Sequence, residues 1–310
     1  MSFASAKEYL LGIDLGGSSV KAIAVTPEGD RLATRRRDLK LEIERDWARD
    51  IADLTQELET ELGSPARSVG LSAPGLAARD RRSIRVMPGR LQGLEGLDWT
   101  KFLARETLVP VLNDAQAALA GEAWVGAARG VDNVVMLTLG TGVGGAAKVD
   151  GRILGGAIGR AGHVGHICLD PEGAPDICRT PGSLELLVGN CSVQERTGGA
   201  FATTHDLVAA VERGDASAQS AWQRTMKHLA CGIASLINVL DPEVVLLGGG
   251  ITRAGKTLLD PLQAALDDVE WVIPGHRVEL RIATLGEWAG AYGAAISGSQ
   301  GVGEDGTSSA

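Results

Sequence analysis

A chain of 310 residues is too long for one compact core, and with 44% hydrophobic residues it has the material for two. Its formal net charge of −9 argues against general nucleic-acid binding. No apolar run reaches the length of a membrane span, and the opening residues lack a charged-then-apolar leader, so the cytoplasm is the expected compartment.

In chain order, residues 9–14 read as a buried strand, Leu15-Gly16-Gly17-Ser18-Ser19 as a turn and 20–26 as a second strand. A turn at 27–30 leads to a third strand, 31–36, whose run Arg35-Arg36-Arg37 suits a solvated edge better than a phosphate grip. Trp47, Ile51, Leu54, Leu58 and Leu62 share one face of a helix that Gly63 is placed to end. Residues 69–73 form a strand ending at Pro74-Gly75, and 109–112 form another that runs into Asn113-Asp114 and an alanine-rich helix to about Ala128. The opening pattern then recurs: a buried strand at 134–139, the turn Gly140-Thr141-Gly142, a strand at 143–149 and the hairpin turn Asp150-Gly151. This looks like an internal duplication in which two related α/β domains bring their glycine turns to one cleft. Further on come a helix at 218–240 stopped by Asp241-Pro242, a strand at 244–247 ending in Gly248-Gly249-Gly250, and a half-buried strand on Val278, Leu280 and Ile282. A small-residue helix follows at 288–296, and residues from 298 on, with nothing to bury, are expected to be disordered.

Several of these turns carry candidate chemistry. Asp14 ends a buried strand beside a Gly-Gly-Ser turn, where backbone N–H groups and hydroxyls approach phosphate oxygens and a carboxylate can hold Mg2+ through water; a hairpin turn with an Asp cap is the plain alternative. Gly140 to Gly145 contains a G-x-G-x-x-G match, but a strand and an Asp-Gly hairpin follow it rather than a helix, which excludes a dinucleotide fold and leaves a phosphate turn. Asn113-Asp114 marks a strand-to-helix junction. There it is either an ordinary helix cap or a carboxylate placed to accept a hydroxyl proton during phosphoryl transfer. Gly248-Gly249-Gly250 suits a close approach to a nucleotide base or ribose. His163 and His166 fit a polar site lining better than a metal pair, since no Cys or Asp completes a set at zinc-finger spacing. The four cysteines, Cys168, Cys178, Cys191 and Cys231, form no C-x-x-C pair and are expected as free thiols.

Together these segments resemble the ROK family (repressors, open reading frames and kinases) of the actin-like sugar-kinase superfamily, from about Leu11 to Gly298. The motifs that carry the likeness are D-L-G-G-S-S-V-K from Asp14 to Lys21, Pro74-Gly75 with Pro88-Gly89-Arg90-Leu91 and Trp99, Asn113-Asp114-Ala115 through Gly121-Glu122, L-G-T-G-V-G-G at 139–145 and L-G-G-G-I at 247–251. The resemblance implies two duplicated actin-like (ribonuclease H-like) domains with a cleft between them. They are expected at 1–115, rejoined by a helix near 287–298, and at 116–286, with a disordered tail at 299–310.

It also implies ATP-dependent, glucokinase-like phosphorylation of a hexose 6-hydroxyl, with Asp114 as catalytic base. Asn113, His166 and Glu185 would bind sugar hydroxyls, and His163, Pro74 and Gly75 would line the sugar site. Asp14, Gly16, Gly17, Ser18 and Lys21 with Gly140, Thr141 and Gly142 would hold Mg-ATP, Asp14 reaching Mg2+ through water, and Gly248, Gly249 and Gly250 would lie near the adenosine. The implied partners are a small-molecule sugar and a second copy of the chain, with neither nucleic acid nor membrane. Family repressors carry a DNA-binding module ahead of the first phosphate motif, which is not expected here because that motif begins at Asp14. A non-catalytic or altered-specificity sugar-binding protein is the alternative.

Two departures from the family pattern stand out. The family's sugar-binding E-x-G-H reads His163-Val164-Gly165-His166, and the cysteine loop that with the last histidine binds zinc in many members has Asp176 and Ser183 at two cysteine positions. No structural zinc is expected from what remains, with packing around Pro175 and Pro181 holding the loop instead.

Overall fold

The computed structural model describes residues 8–39, 46–87 and 91–301. The segment Pro88-Gly89-Arg90 and residues 302–310 lie outside the described residues. The chain forms two compact units. The first comprises the chain up to Gly130, Gly155–Ala161 and the chain from Thr284 on; the second comprises Val131–Leu154 and Gly162–Ala283.

In the first unit, β1 (Leu10–Leu15), β2 (Ser19–Val25) and β3 (Arg31–Asp38) form an antiparallel meander, followed by α1 (Asp46–Leu62). β4 (Ser68–Ala73) returns parallel to β1. A small ribbon, β5 (Leu76–Ala77) with β6 (Ile84–Val86), and a single helical turn, α2 (Trp99–Phe102), precede β7 (Val111–Asn113), which is parallel to β4 and leads directly into α3 (Asp114–Val125). The strand order is β3-β2-β1-β4-β7.

The second unit repeats the scheme. β8 (Val134–Leu139), β9 (Val143–Val149) and β10 (Arg152–Ile153) form the meander. After α4 (Leu184–Val188), α5 (Val193–Arg196), α6 (Thr204–Glu212) and α7 (Ala216–Leu240), β11 (Val244–Gly248) joins β8 in parallel. α8 (Lys256–Asp267) and β12 (Glu279–Ile282) complete the order β10-β9-β8-β11-β12. The duplication expected from the sequence is thus a duplication of sheet topology.

Strand alternation explains how the first sheet is covered. Leu11, Ile13 and Leu15 of β1 cluster with Ile51, Leu54 and Leu58 of α1, whereas Leu10 clusters with Ala291 and Ala295 of the C-terminal helix, Ala289–Gly301. That helix lies with its backbone directly on the sheet and on α3. A Cβ on Gly12 would run into the carbonyl oxygen of Ala291, and one on Gly293 into that of Ala117. Contact this close requires glycine on the opposing surfaces, which is why the helix has no amphipathic stripe. The same contacts correct the tail. Gly298 lies against the backbone of Val69 and Gly70, so the helix continues through residues 298–301, which were expected to be disordered. A 3-10 turn at Gly286–Trp288 precedes it, so the α-helix begins at Ala289 and not at residue 288 as expected. Because α3 packs on this helix, the first unit runs past residue 115 to Gly130.

In the second unit the stripe of Trp222, Met226, Leu229, Ile233 and Leu236 on α7 is buried as its spacing requires. Each such side chain contributes about 1.5–3 kcal/mol on burial, far more than the differences among helix propensities, so the stripe sets the placement of the helix. The indole of Trp222 donates to the Thr257 carbonyl at 2.7 Å. Val278 is buried but precedes β12, which begins at Glu279.

The basic run is paired along the sheet edge. Arg35 bonds to Glu61, Arg36 to Glu287 at 3.0 Å, and Arg37 to Asp50 at 2.8 Å and Glu57 at 2.6 Å. Among the described residues no helix is long and apolar enough to cross a membrane, and the four cysteines are free.

Candidate active site

Each unit gathers its own share of the predicted residues. In the first, Asp14 is the penultimate residue of β1, and the turn Gly16-Gly17-Ser18 is closed by a hydrogen bond from the Gly16 amide to the Ser19 carbonyl at 2.9 Å. Alternation points Asp14 to the C-terminal-helix face, where Gly290 leaves room for its carboxylate. Oδ1 accepts from the Ser72 hydroxyl at 2.7 Å, and Oδ2 lies 3.9 Å from the Lys21 ammonium. Burial pushes the Asp14 carboxyl above its ordinary range; Ser72 and Lys21 oppose this and the negative charge of Asp114 adds to it.

Lys21 also lies 3.8 Å from Glu287. Ser72 and Glu287 were not singled out in the sequence. Ser72 pairs in register with Asp14 across β1 and β4, a neighbour visible only once the strand order is known.

Asn113 ends β7 buried and caps α3: its side-chain oxygen accepts from the Ala115 amide at 3.0 Å, and its amide donates to the Gly75 carbonyl at 2.9 Å. Gly75, at φ 102, makes the turn after Pro74 that presents this carbonyl. Asp114 is exposed at the first turn of α3, with Oδ1 held by the Ala115 amide at 2.8 Å. Asn113 is therefore a helix cap as well as a candidate ligand, and the capped turn fixes the carboxylate next to it.

In the second unit the turn Gly140-Thr141-Gly142 joins β8 to β9. The Asn190 amide donates to the Gly140 carbonyl at 3.0 Å, and the Cys191 amide to the Thr141 carbonyl at 2.7 Å. Glu185, in the first turn of α4, packs against Gly142 and accepts from the Val143 amide at 3.0 Å, so it braces this turn. Gly248-Gly249-Gly250 ends β11; Gly249, at φ 88, lies on the backbone of Leu139.

Gly140, Thr141 and Gly250 open on a cavity of about 610 Å³ whose far wall is α6, with His205, Val208 and Glu212. Sequence reading missed this wall. Its signal was Thr203 and Asp206, which form a reciprocal capping box at the start of α6.

His163 precedes and His166 ends a 3-10 turn at Val164–His166, where Gly165 packs on the Val143 carbonyl. His166 Nδ1 lies 2.7 Å from the Asp176 carboxylate. That carboxylate also accepts from the amides of Cys178 at 2.8 Å and Thr180 at 2.9 Å. Donor atoms of His166, Asp176 and Cys178 all lie within 4.8 Å of one another.

The ROK family profile matches residues 10–300. The chain is 33% identical to a glucokinase of Halalkalibacterium halodurans, over 92% of this chain and 93% of that one. It is 28% identical to an N-acetylmannosamine kinase of Shigella flexneri, over 93% of this chain and 97% of that one. Among solved structures, a ROK family glucokinase from Streptomyces griseus in complex with glucose and AMPPNP matches with a TM-score of 0.77 at 25% identity, covering 94% of this chain and 99% of that one. With two units of one topology, glycine turns at corresponding places in each, and a family match across nearly its whole length, the chain belongs to the ROK family.

Proposed function

We propose that the protein is an ATP-dependent sugar kinase that phosphorylates a hexose at its 6-hydroxyl, with Asp114 as general base. The observation that carries this reading is the β7–α3 junction. A buried, doubly bonded Asn113 fixes the first turn of a helix, and that turn presents an exposed carboxylate whose Oδ1 is held by the Ala115 amide. A group so positioned can accept the hydroxyl proton as the oxygen attacks phosphorus. Relatives named as sugar kinases, one of them crystallised with glucose and AMPPNP, support a sugar and ATP as the two substrates.

Asn113, Pro74 and Gly75 of the first unit and, separately, His163, His166 and Glu185 of the second are assigned to the sugar. The turns at Gly16–Ser18 and Gly140–Gly142 supply backbone donors to phosphate, and the cavity under α6 takes the nucleoside. Asp14 fits a cation held through water, because its burial is opposed only by Ser72 and a distant Lys21 while Asp114 adds negative charge. Mg2+ bound there would neutralise charge on the β- and γ-phosphates during transfer.

His163 stands where the family places a carboxylate, and a neutral imidazole offers one acceptor and one donor in place of two acceptors. That favours a sugar presenting an acceptor, such as an acetamido carbonyl. A coupled assay over a panel that includes glucose and N-acetylmannosamine ranks the sugars. With the best of them, Asp114→Asn is expected to lower turnover by about 10²–10⁴ while sugar binding persists. Near wild-type turnover would remove Asp114 from the mechanism.

A further inference from the structure

The zinc site found in many ROK proteins does not fit the residues of this chain. A structural zinc takes four thiolate or imidazole ligands. Ser183 occupies one ligand position, and its hydroxyl caps α4 by accepting from the Leu186 amide. Cys178 is exposed and, with His166, leaves only two thiolate or imidazole ligands of the four. At the remaining position the side chain of Asp176 is completely buried and fully engaged. Oδ2 takes His166, and Oδ1 takes the Cys178 and Thr180 amides. Three donors thus converge on one buried carboxylate, and both of its oxygens are engaged.

These donors include one position that would otherwise bind the metal, His166, and the amide of another, Cys178. The loop closes around the carboxylate, with a further bond from the Asp176 amide to the Thr180 carbonyl at 2.9 Å and a bridge between Pro175 and Pro181.

We propose that Asp176 replaces the metal as the centre of this loop, and that in doing so it reverses the hydrogen-bonding role of His166 toward the sugar. Two backbone amides, which can only donate, engage Oδ1, and an aspartate carboxyl gives up its proton well before an imidazole does. The group is therefore a carboxylate and can only accept, so His166 Nδ1 carries the proton. In the neutral ring Nε2 is then an acceptor, and a sugar hydroxyl must donate to it. A metal on Nδ1 would do the opposite, leaving the proton on Nε2 and making that atom a donor. Asp176 is thus a positioning residue for sugar specificity, an inference that rests on the reading of His166 as a sugar ligand.

The experiment has two arms on the full chain. Long-range proton–nitrogen correlation on histidine-labelled protein at about pH 8, where a free imidazole is neutral, with the His166 signals assigned from their loss in His166→Gln, is expected to show a protonated Nδ1 and an unprotonated Nε2. The reverse tautomer, or a ring protonated at both nitrogens, overturns the proposal. This arm needs no variant at position 176 and no catalysis.

In the second arm, metal analysis of the wild type is expected to show no stoichiometric zinc, and a zinc-selective chelator in excess Mg2+ leaves activity unchanged. Asp176→Asn puts an amide donor among these donors and is expected to raise the sugar KM about tenfold or more, with kcat changed far less and the ATP KM unchanged. Asp176→Cys combined with Ser183→Cys is expected to take up one zinc per chain when zinc alone is supplied and to regain the stability that Asp176→Asn loses. One zinc per wild-type chain, or a sugar KM unchanged in Asp176→Asn, overturns the proposal. If the wild type phosphorylates no sugar, the proposed function fails, and the tautomer and metal measurements still decide the role of Asp176.

Discussion

Replacing Asp14 by asparagine should stabilise the protein while disabling it. The carboxylate is set among β1, β4 and the start of the C-terminal helix, where burial raises its pKa. A carboxyl that titrates higher in the folded state stabilises the fold in its protonated form. That contribution is complete below the unfolded value of about 3.9 and is lost as pH rises through the raised folded value. Asparagine has no charge to bury, so its advantage over the wild type grows with pH and vanishes in acid.

The size of the gain follows from what the amide keeps and loses. Its oxygen can still accept from Ser72, now at 2.7 Å. What disappears is the 3.9 Å pairing with Lys21, which keeps Glu287 at 3.8 Å as a partner and so is not left unpaired. Substitutions that relieve an active-site cost of this kind commonly gain about 0.5–2 kcal/mol, or about 2–4 °C of Tm per kcal/mol for units of this size. Urea and thermal unfolding of the substrate-free protein at pH 7.5 and near pH 4, with activity measured in parallel, test this. A lower Tm than wild type at neutral pH, or a gain that increases toward acid, would refute the reasoning.

Two further outcomes follow from the described contacts. Glu122 is fully buried, with Oε2 accepting from the Ala127 amide and the Thr284 hydroxyl and Oε1 accepting from the Leu285 amide; Glu122→Gln places an amide donor against one of these donors and should cost about 2–4 kcal/mol in urea unfolding, so a loss below 0.5 kcal/mol, roughly the level of a neutral surface change, contradicts the assignment. Val208→Phe thrusts a ring into the cavity under α6 and should raise the ATP KM about tenfold with little change in the sugar KM; the reverse pattern would move the nucleoside elsewhere.

What the sequence revealed was local. Strand, glycine turn and strand could be read twice because alternation and turn chemistry are short-range signals, and Asn113-Asp114 stood out because a helix cap and a candidate base share one junction. What it hid was non-local. Nothing within the chain around Asp14 announces Ser72 as its partner, since that bond depends on β4 lying in register beside β1. The helix at residues 298–301 looked disordered because its glycines and serines have no side chains to bury, yet it is their smallness that lets the backbone approach the sheet. Asp176 read as a lost metal ligand, because the donors that converge on it come from residues spread over 166–180.

The duplication also suggests why the two glycine turns diverged. Aligned on their first turn glycines, Gly16 and Gly140, Asp14 of β1 corresponds to Thr138 of β8. The cross-strand partners correspond as well: Asp14 pairs with Lys21, and Thr138 with Gly144. The first unit thus keeps a charged pair behind its turn, and the second has a small uncharged one at the same register. Burying charge costs stability unless it serves chemistry, so the charge should persist only where a cation and a transferring phosphoryl group need it. The second turn instead borrows its carboxylate from outside the sheet, Glu185, which spends its Oε2 on the Val143 amide and so fixes the shape of the turn. On the proposed function the first unit supplies the electrostatics of transfer and the second the mould for the nucleotide. That division predicts the ordering of effects above, in which removal of the Asp14 charge disables catalysis and crowding at Val208 is felt through the nucleotide.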